Sequence, residues 1–356
     1  MKCQSMHDFG QPLAPKDRPD PTVSGTEVLI RVEAAGVCHS DLHIRHGGYD
    51  LGHGRSLSFK DRGLKMPHVL GHETVGKVVD AGPDAGALDR AASYVVFPWI
   101  GCGGCAQCAA GRENLCATPK FLGVMADGGY ATHLKAPHPR YLFDIGDIDP
   151  SLAAPLACSG LTAFSALKKV EHTLAASPLL IMGAGGLGLM CIGLALAMGG
   201  LPPVVVDINP AMRKAAITAG AKAAIDPKAP DAMAQIHAAT GGAPTAAIDF
   251  VGAEATAGAA FDALGKGGIL VMVGLFGGAA PWALPLIPGK AITIIGSYVG
   301  NLAEFAELIA FARAGSVRYV PTTTFPLAEA DEVLNKLERG EIVGRAILTP
   351  APQERT

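Results

Sequence analysis

The sequence predicts an α/β protein, with a doubly wound parallel sheet in its second half joined to a β-rich first half. Three observations predict it. A glycine-rich turn at 183–188 stands between an apolar run and an alanine- and leucine-rich segment. Beyond residue 150, Val/Ile-rich runs at 179–182, 204–206, 223–225, 246–250 and 269–273 alternate with helical stretches, the spacing of a parallel sheet with crossover helices. Before residue 150 the chain alternates short strand-like runs with turns, glycines and cysteines.

The turn Gly183-Ala184-Gly185-Gly186-Leu187-Gly188 fits G-x-G-x-x-G and leads from a buried strand into a helix. The first glycine permits the tight turn, the second lets a pyrophosphate approach the backbone, and the third lets helix and strand pack closely. The pyrophosphate then meets unpaired N–H groups at the positive end of a helix. Pro202-Pro203 ends that helix, and a second strand runs to Asp207, which lies 19 residues beyond Gly188. An acid there holds the adenosine ribose and repels a 2′-phosphate, so NAD is expected over NADP. Residues 178–206 carry no charge and are long enough to cross a bilayer, but their glycines, the two prolines and the lack of a basic flank argue against a membrane span.

At 356 residues the chain has room for two domains with real cores. Its 49% hydrophobic and 17% charged content excludes disorder, and a net charge of −3 gives no reason to expect nucleic acid or an anionic membrane as partner. The first ten residues lack the apolar stretch of a secretory signal, so a cytoplasmic protein is expected. In that reducing setting the eight cysteines are expected as thiols or metal ligands.

In the first half, 26–37 alternates as a half-buried strand and runs into Cys38-His39-Ser40-Asp41-Leu42-His43. Residues 46–66 read as a long polar surface loop with room for a short helix. Residues 67–80 give a turn at Gly71-His72-Glu73 and a β-rich run, 94–97 a short strand, and 128–134 a strand after a tight turn. Near the end, 291–299 is a β-branched run suited to pairing with a second copy, 302–314 and 327–338 are helices, and 342–349 is a strand.

Two constellations carry chemistry. Cys102-x2-Cys105-x2-Cys108-x7-Cys116 places four thiolates within fifteen residues, which suits a closed, tetrahedral, structural zinc site. An iron–sulfur cluster is the alternative, but the last spacing is wrong for the ferredoxin run and no proline follows. Cys38, His72 and Cys158 form a second set that spacing alone cannot join. Singly, each is more often a buried thiol or a satisfied core histidine than a ligand. Together, two thiolates and an imidazole leave a fourth zinc position open, the form of a catalytic site. Asp41 and Glu73 stand beside these candidates, and Asp41 is suited to accept a hydrogen bond from His72. Ser40 and His43 suit a proton relay from that position through the cofactor ribose to solvent. Cys191 reads as core and Cys3 as an ordinary terminal thiol.

These residues together resemble the zinc-dependent medium-chain alcohol dehydrogenase family. The resemblance runs from Glu27 to Leu348 and rests on G-V-C-H-S-D-L-H (36–43), G-H-E-x2-G (71–76), P-W-I-G-C-G-G-C (98–105), G-x-G-G-x-G (183–188) and G-S-Y-V-G (296–300). It implies a GroES-like catalytic domain from 1–152 and 298–356, with a structural zinc lobe at about 98–118, and a Rossmann NAD-binding domain from 153–297. It implies two zinc ions per subunit: a catalytic one on Cys38, His72 and Cys158, with Glu73 a nearby or transient ligand, and a structural one on Cys102, Cys105, Cys108 and Cys116. By the same resemblance Arg345 meets the pyrophosphate, and Val251, Val273 and Ser297 line the nicotinamide side. His39 stands where many members carry arginine near the cofactor phosphates, which implies faster release of NADH. Arg213 or Lys214 is expected on the adenosine side. The loop 47–66 is longer than in many relatives.

The implied reaction is reversible oxidation of an alcohol to an aldehyde or ketone by NAD, with zinc as Lewis acid. Tyr49, Trp99 and Leu122 are the expected walls of an apolar substrate pocket, and a homodimer or homotetramer is the expected assembly. A polyol dehydrogenase or carbonyl reductase of the same family, and a non-catalytic nucleotide-binding protein on the same fold, are the competing readings.

Overall fold

A computed structural model describes residues 1–280 and 282–351. The chain builds two main sheets. The six-stranded one is wholly parallel, in the order Ala223–Ile225, Val204–Val206, Leu180–Met182, Ala246–Asp249, Ile269–Met272, Thr293–Gly296. Strand order reverses beside Leu180–Met182, and a crevice opens at the carboxyl ends of the strands there. Leu180–Met182 and Val204–Val206 are buried at every residue, as strands covered by helices on both faces must be.

The second sheet has seven strands. Its centre, Val28–Gly36, pairs antiparallel along its length with Glu73–Ala81. On the other edge it pairs with His133–Ala136 through its first half and with Arg345–Thr349 through its last residues. The C-terminal strand thus returns to the sheet begun near the N-terminus, which carries Arg345 back toward Glu73.

The uncharged stretch 178–206 divides into strand, the helix Gly186–Ala197, and strand. The helix is apolar on all sides because it is buried, packed on the helices Ser159–Lys168 and Pro210–Ala219. Among the described residues no single helix is long and apolar enough to cross a membrane; only the pair Pro150–Ala157 and Ser159–Lys168 meets that measure jointly, across a 53° bend.

Three local readings are corrected. The polar segment 46–66 is not a loop with a helix but carries a hairpin, Gly48–Asp50 against Ser56–Ser58. It is anchored by Phe59, which is buried with its ring centre 5.3 Å from that of Tyr49, the two planes tilted by 51°. The strand expected at 128–134 begins at His133. Residues 128–130 instead bond irregularly to Val69, Gly71 and Leu70, through N–H donors of Gly128, Gly129 and Tyr130. The N-terminal strand Lys2–Met6, paired with Ala14–Asp17 and His68–Val69, buries Cys3, so that thiol is part of the core rather than a loose terminal group.

Candidate active site and metal centres

Three elements bring Cys38, His72 and Cys158 together. Cys38 follows the central strand and caps the helix His39–His46. His72 precedes the strand Glu73–Ala81, and Cys158 caps Ser159–Lys168. All three side chains are buried. Cys38 Sγ and Cys158 Sγ lie 4.0 Å apart, and donor atoms of Cys38, His72, Glu73 and Cys158 all fall within 4.8 Å of one another. Tetrahedral zinc with bonds of about 2.3 Å to sulfur sets two sulfurs about 3.8 Å apart. His72 Nε2 is buried with no hydrogen-bond partner, as a ligand atom would be.

The electrostatics fit a divalent cation. Contact with Cys158, helped by His72 and Arg345, draws the Cys38 thiol well below its ordinary range. Cys158 is pushed well up by contact with Cys38 and by burial, which outweigh the opposing charge of Arg345. Asp41 ties the group together from beneath. Its carboxylate accepts from Cys38 N at 3.0 Å and from the Tyr130 hydroxyl at 2.8 Å. His72 Nδ1 lies 3.3 Å from Asp41 Oδ1, at an angle oblique for a hydrogen bond. Glu73 is already engaged: Oε1 accepts from Ser159 N at 3.3 Å and Oε2 from Arg345 Nη2.

The second cluster is nearer the surface. Its sulfur separations, 4.0 Å for Cys102–Cys108, 3.5 Å for Cys105–Cys108 and 3.8 Å for Cys105–Cys116, again match a tetrahedral zinc. Gly101 leaves the room: a Cβ there would stand 2.4 Å from Cys108 Sγ. The Gly104 N–H chiefly lowers the Cys102 thiol to about 6.

The crevice of the parallel sheet forms a groove lined by Gly183, Gly185, Gly186, Leu187, Gly188, Asp207, Val251, His39 and Arg345. A Cβ at Gly188 would meet the Gly183 carbonyl oxygen at 1.9 Å, so the turn closes only over glycine. Asp207 ends its strand with Oδ2 accepting from Ala184 N and Oδ1 from Asn209 N, both at 2.7 Å. Arg345 lies against Gly186 with its guanidinium turned to Glu73. Arg213 and Lys214 do not line the groove. Arg213 donates to the carbonyls of Asp207 and Ile208 and pairs with Asp226 at 3.0 Å, while Lys214 lines a separate cavity with Arg318. Ile208, Asn209 and Met212 line the groove beyond Asp207 instead.

His39, His43, Leu187, Phe250 and Leu275 are shared between this groove and a smaller cavity of about 100 Å³ beside the thiols. Ser40, Tyr49, Trp99, Cys158, Val273 and Ser297 line that cavity too. Leu122 does not: it is buried in the turn after Pro98, and Val124 faces the cavity. Trp99 is fixed by its Nε1–H to the Ala157 carbonyl at 2.9 Å. Thr162, Tyr298 and Val299 line it as well; Tyr298 and Val299 belong to the G-S-Y-V-G run, whereas Thr162 and Phe250 carry no sequence signal of their own.

Comparison with known proteins agrees with this geometry. Residues 24–147 match the alcohol dehydrogenase GroES-like domain, and 186–314 match the zinc-binding dehydrogenase domain. The chain is 37% identical to an NAD-dependent alcohol dehydrogenase of Sulfurisphaera tokodaii and 36% identical to one of Saccharolobus solfataricus, over 98% of this chain and 100% of each relative. The crystal structure of the alcohol dehydrogenase of Aeropyrum pernix superposes with a TM-score of 0.88 at 31% identity, covering 98% of this chain and 100% of that one. The chain belongs to the zinc-dependent medium-chain alcohol dehydrogenase family, and its reaction is hydride exchange between an alcohol and NAD.

Proposed function

We propose that Cys38, His72 and Cys158 hold the catalytic zinc of this reaction, with Glu73 a nearby reserve ligand, and that Cys102, Cys105, Cys108 and Cys116 hold a structural zinc. The observation that carries the reading is the pair of buried thiol sulfurs 4.0 Å apart, beside an unpartnered imidazole nitrogen and open to the same cavity as Ser40. When bound, zinc supplies Lewis acidity toward the substrate oxygen and NAD supplies the hydride acceptor.

The protein's own groups do the rest. Ser40 and His43 lie one turn apart on one helix and line one cavity. Burial holds His43 below its ordinary value, so near neutral pH its imidazole is free to take a proton. Ser40 Oγ takes the proton that leaves the alcohol as its own hydroxyl proton passes on toward His43, which holds a proton nearer solvent. Trp99, Tyr49 and Tyr298 exclude water and align the carbon that gives up hydride. Val251, Val273 and Ser297 flank the nicotinamide side, Asp207 holds the ribose, and Arg345 and His39 border the pyrophosphate.

Sheet membership supports a division into 1–152 with 298–356, and 153–297. The unpaired edge strand Thr293–Gly296 supports a homo-oligomer that extends the parallel sheet across two copies. The cysteines stand at the two metal centres or, as Cys3 and Cys191, lie buried as free thiols, which supports a reducing, cytoplasmic setting.

The test is an assay of benzyl alcohol with NAD, with metal content measured on the same sample. Cys38→Ser is expected to lose turnover and one zinc per chain while still binding NADH. Retained turnover in that variant overturns the ligand assignment.

A further inference from the structure

The cavity beside the thiols borders a second, open chamber. Tyr49, Gly274, Leu275 and Tyr298 line both, the outer one of about 500 Å³ against about 100 Å³ for the inner one. An alcohol too long for the inner cavity would pass these residues toward the outer chamber. Its outer wall is the hairpin at 48–58 and the segment after it. That wall is pinned across the cleft, because Gly278 N donates to the Asp50 carbonyl at 3.2 Å and Gly277 leaves no room for a side chain against Asp50.

Arg62 lines this chamber. Its guanidinium stands 5.7 Å from the centre of the Phe59 ring, and among the described residues it has no carboxylate partner. The other charged residue of the lining, Asp50, has Oδ1 taken by Gly52 N at 2.8 Å. The positive charge of Arg62 also reaches the rings that divide the chambers, since it works against the burial that lifts the Tyr49 and Tyr298 hydroxyls. Arg62 is exposed at the open mouth of this chamber, beyond an aromatic pocket and with no carboxylate partner among the described residues, where its guanidinium can meet an anion on the substrate in the planar, forked geometry that suits a carboxylate.

We propose that the preferred substrates are alcohols, or the matching aldehydes, whose far end carries a carboxylate, and that Arg62 is the residue that selects it. The proposal deepens the reading of the inner cavity as the alcohol site and rests on it. Two probes separate the possibilities: 4-(hydroxymethyl)benzoate and its neutral counterpart 4-methylbenzyl alcohol, each assayed with NAD on the zinc-loaded enzyme. The ratio of kcat/KM, carboxylate over neutral, is expected to exceed about threefold, to fall to near one in Arg62→Gln, and to recover most of its value in Arg62→Lys. A ratio near one in the parent, or one unchanged in Arg62→Gln, overturns the proposal. Binding of the same two probes, followed by the fluorescence of Trp99 in the cavity wall, gives the comparison without turnover. Carboxylate-selective binding lost in Arg62→Gln but with neither alcohol oxidised would sustain the anion contact and count against the alcohol site.

Discussion

Arg345 Nη2 and Glu73 Oε2 meet at 2.5 Å with both side chains almost wholly withdrawn from solvent. The pair joins the last strand of the sheet to the residue after His72, and through Ser159 N to the helix that Cys158 caps. Burial lifts the Glu73 carboxyl to about 7 even with the guanidinium opposing it, so the pair sits in a costly environment. Removing one partner leaves an uncompensated buried charge. Arg345→Met is therefore expected to lower stability by about 3–5 kcal/mol in urea denaturation, and Glu73→Leu added to it is expected to return part of the loss. A double variant no more stable than the single one would show that the arginine acts through packing instead.

The four-cysteine lobe has little apolar core of its own, and the helix Ala106–Ala109 within it buries no residue. With the proposed zinc on its sulfurs, its folded shape would depend on that ion, since metal binding adds directly to folding free energy. Cys105→Ser removes the sulfur 3.5 Å from Cys108 and 3.8 Å from Cys116. It is expected to cost one zinc per chain and to lower the melting temperature, with greater sensitivity to chelator. A variant as stable as the parent under both challenges would count against a structural zinc there.

Local spacing makes two of these features legible in the amino-acid sequence alone: the glycine turn at 183–188 and the run Cys102 to Cys116 each lie within one short segment. Cys38, His72 and Cys158 are legible as residue types, but their convergence is a product of the pairing of 28–36 with 73–81 and of the helical turn Ala154–Ala157 that packs on those strands just before Cys158. The hairpin at 48–58 is hidden by its polar composition, because it is held by Phe59 beneath it rather than by alternating apolar residues. Arg213 misleads because helix position does not say where a long side chain turns; nearby carbonyls and Asp226 capture it. Leu122 and Val124 are both apolar and two residues apart, and only the turn between them decides which faces the cavity.

Asp207 accepts hydrogen bonds from the N–H of Ala184 in the glycine turn and of Asn209 beyond it, and the proposed cofactor site gives it a second job, negative charge where a 2′-phosphate would lie. Asp207→Ser is expected to raise the ratio of NADP to NAD kcat/KM by at least about tenfold, near 1.4 kcal/mol of discrimination. The ratio is the proper readout, because loosening the turn weakens both cofactors together. An unchanged ratio would remove Asp207 from cofactor selection and leave it a bracket for the turn.

His68 gives a pH dependence whose sign can be worked out. It is buried with Nε2 unpartnered, and its Nδ1 stands 3.7 Å from Asp127 Oδ1, an oxygen that already accepts from Val69 N. Arg18 holds the other Asp127 oxygen at 2.7 Å. Burial outweighs the Asp127 charge and keeps the imidazole below its ordinary value of 6.5. As pH falls through about 6.5 the unfolded chain takes up the proton first, so stability is full above that point and is lost until the folded histidine also protonates. His39, His43 and His133 are shifted the same way and add to the fall. His68→Phe removes one titration while keeping the volume filled, so its melting temperature is expected to drop less than the parent's between about pH 7 and about pH 5. Equal drops in the two proteins would mean that the buried ring stays neutral in the unfolded chain as well, or that Asp127 already offsets its burial.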